Sequence, residues 1–214
     1  MPVDLFAAVP EGELLAVGQP RVFDRDEVVF HQDDPGDTLH VVQAGRFAAR
    51  ITTDVGDTVT LAVFVPGQVF GLLAALRREQ RRTATIVALE NAETLSLSFD
   101  GFTRLRAAHP EVSVATESLL VDLLGAANDR LVEALYLPAQ QRVRRRLLEL
   151  ARLYGDGEPD VTVPLSQDYL ADLAGTTRET VNRVLKQEVE QGSVTLARRQ
   201  ITVHLSALPN DSAK

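Results

Sequence analysis

Between Leu165 and Gln191 the chain reads LSQDYLADLAGTTRETVNRVLKQEVEQ, and no other stretch dictates so much about what must surround it. Ser166 and Thr176 each precede a helical pattern, where a hydroxyl can accept from the open amides of a first turn. Thr176 and Glu179 add the T-x-x-E spacing of a capping box. Gln167, Ala171 and Gly175 recur every four residues: a small Ala171 lets two helices approach, and glycine accepts the left-handed backbone of a short turn. Two helices meeting at a sharp bend, a helix-turn-helix, are expected here.

In the second of these helices Val181, Val184 and Leu185 fall on one side, while Arg178, Glu179, Asn182, Arg183 and Lys186 fall on the other. Arginine can bond bidentately to guanine O6 and N7, and glutamate can accept from cytosine N4. Arg178, Glu179 and Arg183 are therefore the candidate base readers. A plain surface helix, solvated and laced by pairs such as Glu179 with Arg183, is the alternative for the same charges.

The segment TTRETVNRVLK resembles the recognition helix of the CRP/FNR (cyclic-AMP receptor protein) family of bacterial transcription regulators, whose core reads S/T-R-E-T-V-x-R-x-L-K. The resemblance implies that Arg178, Glu179 and Arg183 contact bases of a TGTGA-like half-site, and that Thr177 and Thr180 contact phosphates. It also implies an α+β chain: an N-terminal cyclic-nucleotide-binding-type β-roll over residues 1–109, a dimerisation helix over 110–137, and a winged helix-turn-helix over 138–214.

Charge needs reconciling with a DNA partner, because the net value is −8 and DNA affinity comes largely from cations set on phosphates. Residues 1–137 hold 11 basic and 20 acidic side chains, whereas residues 138–214 hold 11 and 10. The acid is concentrated in the front part, and local clusters must carry the affinity: Arg178, Arg183 and Lys186 on the helix, Arg198 and Arg199 beyond it. With 45% apolar and 24% charged residues, the composition is that of a well-cored globular protein. No apolar run reaches the roughly 18 residues of a membrane span, so a cytoplasmic location without a membrane partner is expected. The absence of cysteine excludes disulfides, thiol nucleophiles and cysteine-ligated clusters.

From Arg21 to about Phe99, short Val-, Thr-, Phe- and Leu-rich runs alternate with turn signals, and Gly45, Gly56 and Gly67 are evenly spaced. That rhythm predicts a barrel or β-roll. It is interrupted by a helical pattern from Leu72 to Arg78, with Gly71 before it and Arg82-Thr83 after it. A helix start beside an arginine and a hydroxyl is an anion site in general, and in the family this is the cassette that takes the cyclic nucleotide's phosphate. Two positions depart from the family pattern. Leu72 stands where a glutamate holds the ribose 2′-hydroxyl, and Ala127-Asn128 stand where a Thr-Ser pair meets adenine from the dimer helix. The effector pocket to test is thus Gly71, Leu72, Arg82, Thr83 and Asn128. Cyclic AMP or another anionic nucleotide could enter it, though none is required; Arg82 could instead pair with Glu79 or Glu90 and close the pocket.

Pro110 to Leu137 reads as one long helix with adjacent apolar stripes (Leu120, Leu124, Ala127, Leu131, Leu135; Leu119, Leu123, Ala126), wide enough for two partners: its own β-roll and a second copy. Pro138, lacking an amide hydrogen, marks a hinge. AQQRVRRRLLELARLYG then makes an amphipathic helix with Val143, Leu147, Leu150 and Ala151 inward and Arg142, Arg144, Arg145 and Arg146 on a solvated face, contact with phosphate or an acidic partner being the alternative. GDGEPD is an exposed loop, in a region where family members touch RNA polymerase. SVTLARRQITVHLS makes a hairpin wing with Arg198 and Arg199 at its tip. Glu188 and Ser193 occupy positions where the family has aliphatics, with Val189 placed to compensate by a slight shift. The four histidines show no metal-ligand spacing.

Together these features point to a homodimeric, sequence-specific DNA-binding regulator, competent without ligand and partnered by RNA polymerase. The alternatives are a cyclic-AMP-dependent regulator with an altered pocket, or a nucleotide-sensing module acting through protein partners. Nothing in the chain suggests an enzyme: it has no phosphate loop of the G-x-x-x-x-G-K type and no Ser/His/Asp constellation.

Overall fold

A computed structural model of the chain describes residues 4–207 apart from 55, 78 and 156. After a short helix α1 (Glu11–Val17), eight strands follow: β1 (Gly18–Phe23), β2 (Val28–Phe30), β3 (Thr38–Ala44), β4 (Phe47–Thr52), β5 (Thr58–Phe64), β6 (Val69–Phe70), β7 (Thr85–Ala88) and β8 (Ala92–Ser98). They form two antiparallel four-stranded sheets, ordered β1-β8-β3-β6 and β2-β7-β4-β5. Helix α2 (Leu72–Leu76) interrupts the strands after β6; its expected end, Arg78, lies outside the described residues. Gly45 and Gly67 turn the chain at positive φ, 71° and 86°. A Cβ at Gly45 would also sit 2.6 Å from Asn91 O, so that turn admits no side chain.

Strand alternation divides the interior in two. His40 and Val42 of β3 face one way, into an aromatic cluster with Phe23, Phe47 and Phe70 to which both sheets contribute. Leu39 and Val41 face the other way, joining Leu95 and Leu97 against α1, α3 (Phe99–Ala108) and the start of α4 (Pro110–Tyr136). Neither α1 nor α3 was expected. FDGFTRLRAA carries a glycine and only three large apolar residues, of which Phe99, Phe102 and Leu105 are buried.

Helix α4 packs on this second cluster only through its first turns, where Val112 and Thr116 are buried and Ala115 and Leu119 partly so. Beyond them Val121 (69% exposed), Leu124 (63%), Leu131 (59%), Val132 (56%) and Leu135 (66%) are open in the single chain. The chain divides into compact units between Asp129 and Arg130, inside this helix.

The second unit contains α5 (Ala139–Tyr154), β9 (Asp160–Val163), α6 (Gln167–Ala174), α7 (Arg178–Glu190), β10 (Val194–Ala197) and β11 (Gln200–His204), its strands ordered β10-β11-β9. Val143, Leu147, Leu150 and Ala151 of α5 are buried as expected. Gly155 follows α5 in extended geometry (φ −111°, ψ 138°), and a Cβ there would lie 2.4 Å from Val161 Cγ2, so the position admits no side chain. Asp160, the last residue of the expected GDGEPD loop, opens β9, and DVTV is too short for its alternation to stand out in the sequence.

The arginines at the start of α5 correct the expectation of a solvated face. Arg146 is buried and donates to both Glu133 and Glu149, while Arg145 Nη1 donates to Glu133 Oε1 at 2.8 Å. Arg144 Nε donates to Glu188 Oε1 at 2.6 Å. Arg142 donates from Nη1 to Leu137 O (2.9 Å), from Nε to Ala174 O (3.0 Å) and from Nη2 to Gly175 O (2.9 Å). One guanidinium thereby satisfies carbonyls at the end of α6 and in the segment before Pro138.

Candidate nucleic-acid interface

Helices α6 and α7 meet as the spacing required, with one cap displaced. Ser166 Oγ accepts from Tyr169 N at 3.2 Å and starts α6. Gly175 takes the left-handed conformation (φ 57°, ψ 49°), letting Thr176 N fold back onto Ala171 O at 3.1 Å. The cap of α7 is Thr177, not Thr176: Thr177 Oγ1 accepts from Thr180 N at 3.3 Å. The amide of Thr176 is committed to the closure of α6, so α7 starts one residue later and no Thr176–Glu179 capping box forms among the described residues. Thr177 and Thr180, expected on phosphates, also bond to each other through their hydroxyls at 3.1 Å.

Val181, Val184 and Leu185 are fully buried, which orients the rest of α7. Arg178, Glu179, Arg183 and Lys186 are exposed, and Asn182 is half-buried. Strands β10 and β11 pair from Val194↔Val203 to Ala197↔Gln200, placing Arg198 and Arg199 in a two-residue tip. Arg178 and Arg199 both line a depression of about 450 Å³ together with Ser166, Gln167, Asp168 and Gln200. The fold thus brings Arg178, the first candidate base reader of α7, and the wing tip onto one surface. Asp168, which no motif singles out, belongs to that surface: its Oδ1 lies 3.4 Å from Arg178 Nε. The i to i+10 separation across a turn gives no helical-spacing signal that could have found it.

At the C-terminal end of α7, Glu188 and Ser193 are completely buried. Glu188 Oε2 accepts from Ser193 Oγ at 2.6 Å while Oε1 accepts from Arg144. Val189 is 43% exposed and does not fill in for them. The two departures from an aliphatic pattern compensate each other, with an α5 arginine as third member.

In the β-roll, Gly71 is left-handed (φ 82°) and precedes α2; a Cβ there would lie 3.0 Å from both Arg82 Nη1 and Thr38 O. Arg82, only 4% exposed, donates from Nη1 to Thr38 O and from Nη2 to Thr38 Oγ1 (2.9 Å), with Asp37 Oδ1 at 3.6 Å. Its guanidinium carbon stands 3.9 Å from the Phe30 ring centroid. Neither Glu79 nor Glu90 is its partner; Glu90 pairs with Arg46 at 2.8 Å. Arg82 Nε is buried without a hydrogen-bond partner among the described residues, and Thr83 is half-buried. Leu72 corrects its placement in the pocket: it is 3% exposed and packs in the core with Leu39, Val41 and Leu97. An anion fits an orphaned guanidinium N–H beside a glycine cradle, but no carboxylate at position 72 meets a ribose hydroxyl. Ala127 and Asn128 are exposed on α4. His40, stacked on Phe70 (5.0 Å, 10°) and bonded through Nδ1 to Thr94 Oγ1 (3.0 Å), has its pKa lowered to about 4 by burial, then by the charges of Arg82 and Arg21.

Residues 20–109 match the cyclic nucleotide-binding domain family, and residues 141–208 match the Crp-like helix-turn-helix domain family. A cyclic AMP receptor protein of Thermus thermophilus is 35% identical over 202 residues, covering 93% of this chain and 90% of that protein. A CRP-like cAMP-activated global transcriptional regulator of Mycobacterium tuberculosis is 28% identical over 188 residues, covering 86% of this chain and 84% of that protein. The solved structure of FixK2 from Bradyrhizobium japonicum shares the fold with a TM-score of 0.78 at 23% identity, covering 92% of this chain and 100% of that one. No helix among the described residues is long and apolar enough to cross a membrane. A nucleotide-binding-type β-roll, a long helix and a winged helix-turn-helix in one chain, with a relative 35% identical over 93% of it, make the protein a member of the CRP/FNR family of transcription regulators.

Proposed function

We propose that the protein binds DNA as a homodimer, each subunit laying α7 in a major groove, with half-sites one helical turn apart, about 10–10.5 bp. The observation that carries this reading is the division of α7: Val181, Val184 and Leu185 wholly buried, Arg178, Glu179, Arg183 and Lys186 outward beside the wing. Arg178, Glu179 and Arg183 read a TGTGA-like half-site, assisted by Asn182. Thr177, Thr180, Lys186, Arg198 and Arg199 contact the phosphate backbone. The stripe Val121, Leu124, Leu131, Val132 and Leu135 supports pairing of the 110–137 helix with its copy, since so long an apolar face is otherwise left in water. RNA polymerase is the second macromolecular partner.

An anionic nucleotide such as cyclic AMP can engage Arg82, yet DNA binding does not depend on it. Leu72 lies in the core instead of facing a ribose, and Arg82 already bonds to Thr38. Selection of bound fragments from random duplexes, with and without cyclic AMP, tests both claims. The expected product is a palindrome recovered equally well without nucleotide, and Arg178→Ala should relax choice at one guanine at a cost of about 1–3 kcal/mol. Recovery of unrelated fragments, or only in the presence of nucleotide, would contradict the first or the second claim respectively.

A further inference from the structure

The surface that carries Arg178 and Arg199 also carries a carboxylate, and a carboxylate is out of place on a face that must approach a polyanion. Asp168 is the second residue of α6, in the first turn, where the helix dipole favours negative charge. That same turn would otherwise attract a DNA phosphate. Its Oδ1 lies 3.4 Å from Arg178 Nε, and both side chains are largely exposed, so the pair is free to separate. The remaining polar groups on the depression are Ser166, the N-cap of α6, Gln167 of α6, and Arg199 and Gln200 of the wing.

We propose that Asp168 is a specificity-determining residue, which holds Arg178 away from phosphates and yields it to a guanine edge. The inference rests on the DNA-binding reading above. At a non-cognate sequence a phosphate offers Arg178 only an exchange of one anion for another, and the exchange leaves Asp168 facing the DNA backbone. Little is gained by that exchange. At a cognate guanine the fork of Arg178 bonds O6 and N7 together, a geometry that a single carboxylate contact at 3.4 Å does not match. Asp168 therefore lowers sequence-independent binding more than it lowers binding to the proper site. In a chain whose C-terminal part has almost balanced charge, removing one cation from the non-specific interaction has a measurable share of the whole.

The test uses the full chain, the duplex recovered by selection and a scrambled duplex of equal length, with Kd measured against salt concentration. Asp168→Asn should tighten binding to the scrambled duplex about three- to fivefold, the upper part of the range of an exposed ion pair, and binding to the selected duplex less than twofold. The salt dependence on the scrambled duplex should steepen by about 0.9 per subunit, one further phosphate neutralised. Asp168→Ser should behave alike. Glu190→Gln, neutralising an exposed acid at the other end of α7, should move both affinities by one common factor. In an Arg178→Ala background Asp168→Asn should leave the ratio of the two affinities unchanged. A ratio untouched by Asp168→Asn in the wild-type background overturns the proposal, as does an equal fall with Arg178 removed. Failure of the wild type to bind either duplex at low salt overturns the DNA-binding reading itself; discrimination by the wild type with an unaltered ratio in Asp168→Asn overturns the inference alone.

Discussion

Replacing Arg144 by methionine removes a charge from α5 while keeping most of its stem, and it strands the buried carboxylate of Glu188. In the wild type both carboxylate oxygens are occupied at 2.6 Å, one by Arg144 Nε and one by Ser193 Oγ. The variant leaves Ser193 alone to stabilise a side chain that is 1% exposed. Breaking a buried ion pair by removing one partner costs about 3–5 kcal/mol. Arg144 is itself 30% exposed, so water can follow the lost guanidinium, and the lower end, about 3 kcal/mol, is expected. Glu188→Leu should behave in the opposite way. It removes the buried charge, Arg144 turns to solvent, and Ser193 Oγ keeps an acceptor in the residue-188 carbonyl, 3.0 Å away. Its effect should lie between neutral and about 1–4 kcal/mol stabilising. The double variant Arg144→Met/Glu188→Leu should then recover what Arg144→Met lost.

Tyrosine fluorescence during urea unfolding reads this without interference from the β-roll. The chain has no tryptophan, and its three tyrosines, Tyr136, Tyr154 and Tyr169, all belong to the C-terminal unit. A loss below about 1 kcal/mol in Arg144→Met, or a double variant no more stable than that single one, would refute the reasoning, because either result means that Glu188 does not need its partner.

Two further outcomes follow from backbone and burial. At Gly175 an added Cβ meets nothing within 4 Å, so Gly175→Ala should cost only the left-handed backbone, about 1–2 kcal/mol, with Gly175→Asn nearer wild type, in the same fluorescence assay. His40 carries a pKa of about 4 in place of 6.5, so the folded state holds it neutral while the unfolded chain protonates first. Its contribution is complete above pH 6.5 and is lost as pH falls towards 4, amounting to about 3 kcal/mol over that window. Circular dichroism melts of His40→Gln should show that slope reduced relative to wild type between those pH values; an identical slope would remove His40 as its source.

What the sequence disclosed and what it concealed differ in range. Gly175, Ser166 and the Val181, Val184, Leu185 face are decided within one or two helical turns, so spacing alone located them. The cap at Thr177 eluded the same logic by one residue because Thr176 has a second use, closing α6 onto Ala171, that a pattern of cap-forming residues does not record. Arg142, Arg144 and Arg146 eluded it more completely. On α5 they look like a cationic face; Glu149 lies at helical spacing from Arg146, but the other side-chain and cap partners sit 32 or more residues away at Ala174, Gly175 and Glu188, or across a proline at Leu137 and Glu133. A buried carboxylate at position 188 looks like a defect when α7 is read by itself and like one member of a satisfied trio once α5 and β10 are folded against it. The same holds for Leu72, whose apolar character was visible but whose inward direction depends on β3 and β8 supplying Leu39, Val41 and Leu97. Those arginines also alter the charge reading. Most of the positive charge at the start of α5 is spent on protein partners, so the cations proposed above to face DNA are those of α7 and the wing, with Arg178 paired to Asp168. On that proposal, sequence selectivity comes from where these cations point, not from the sum of positive charge in the unit.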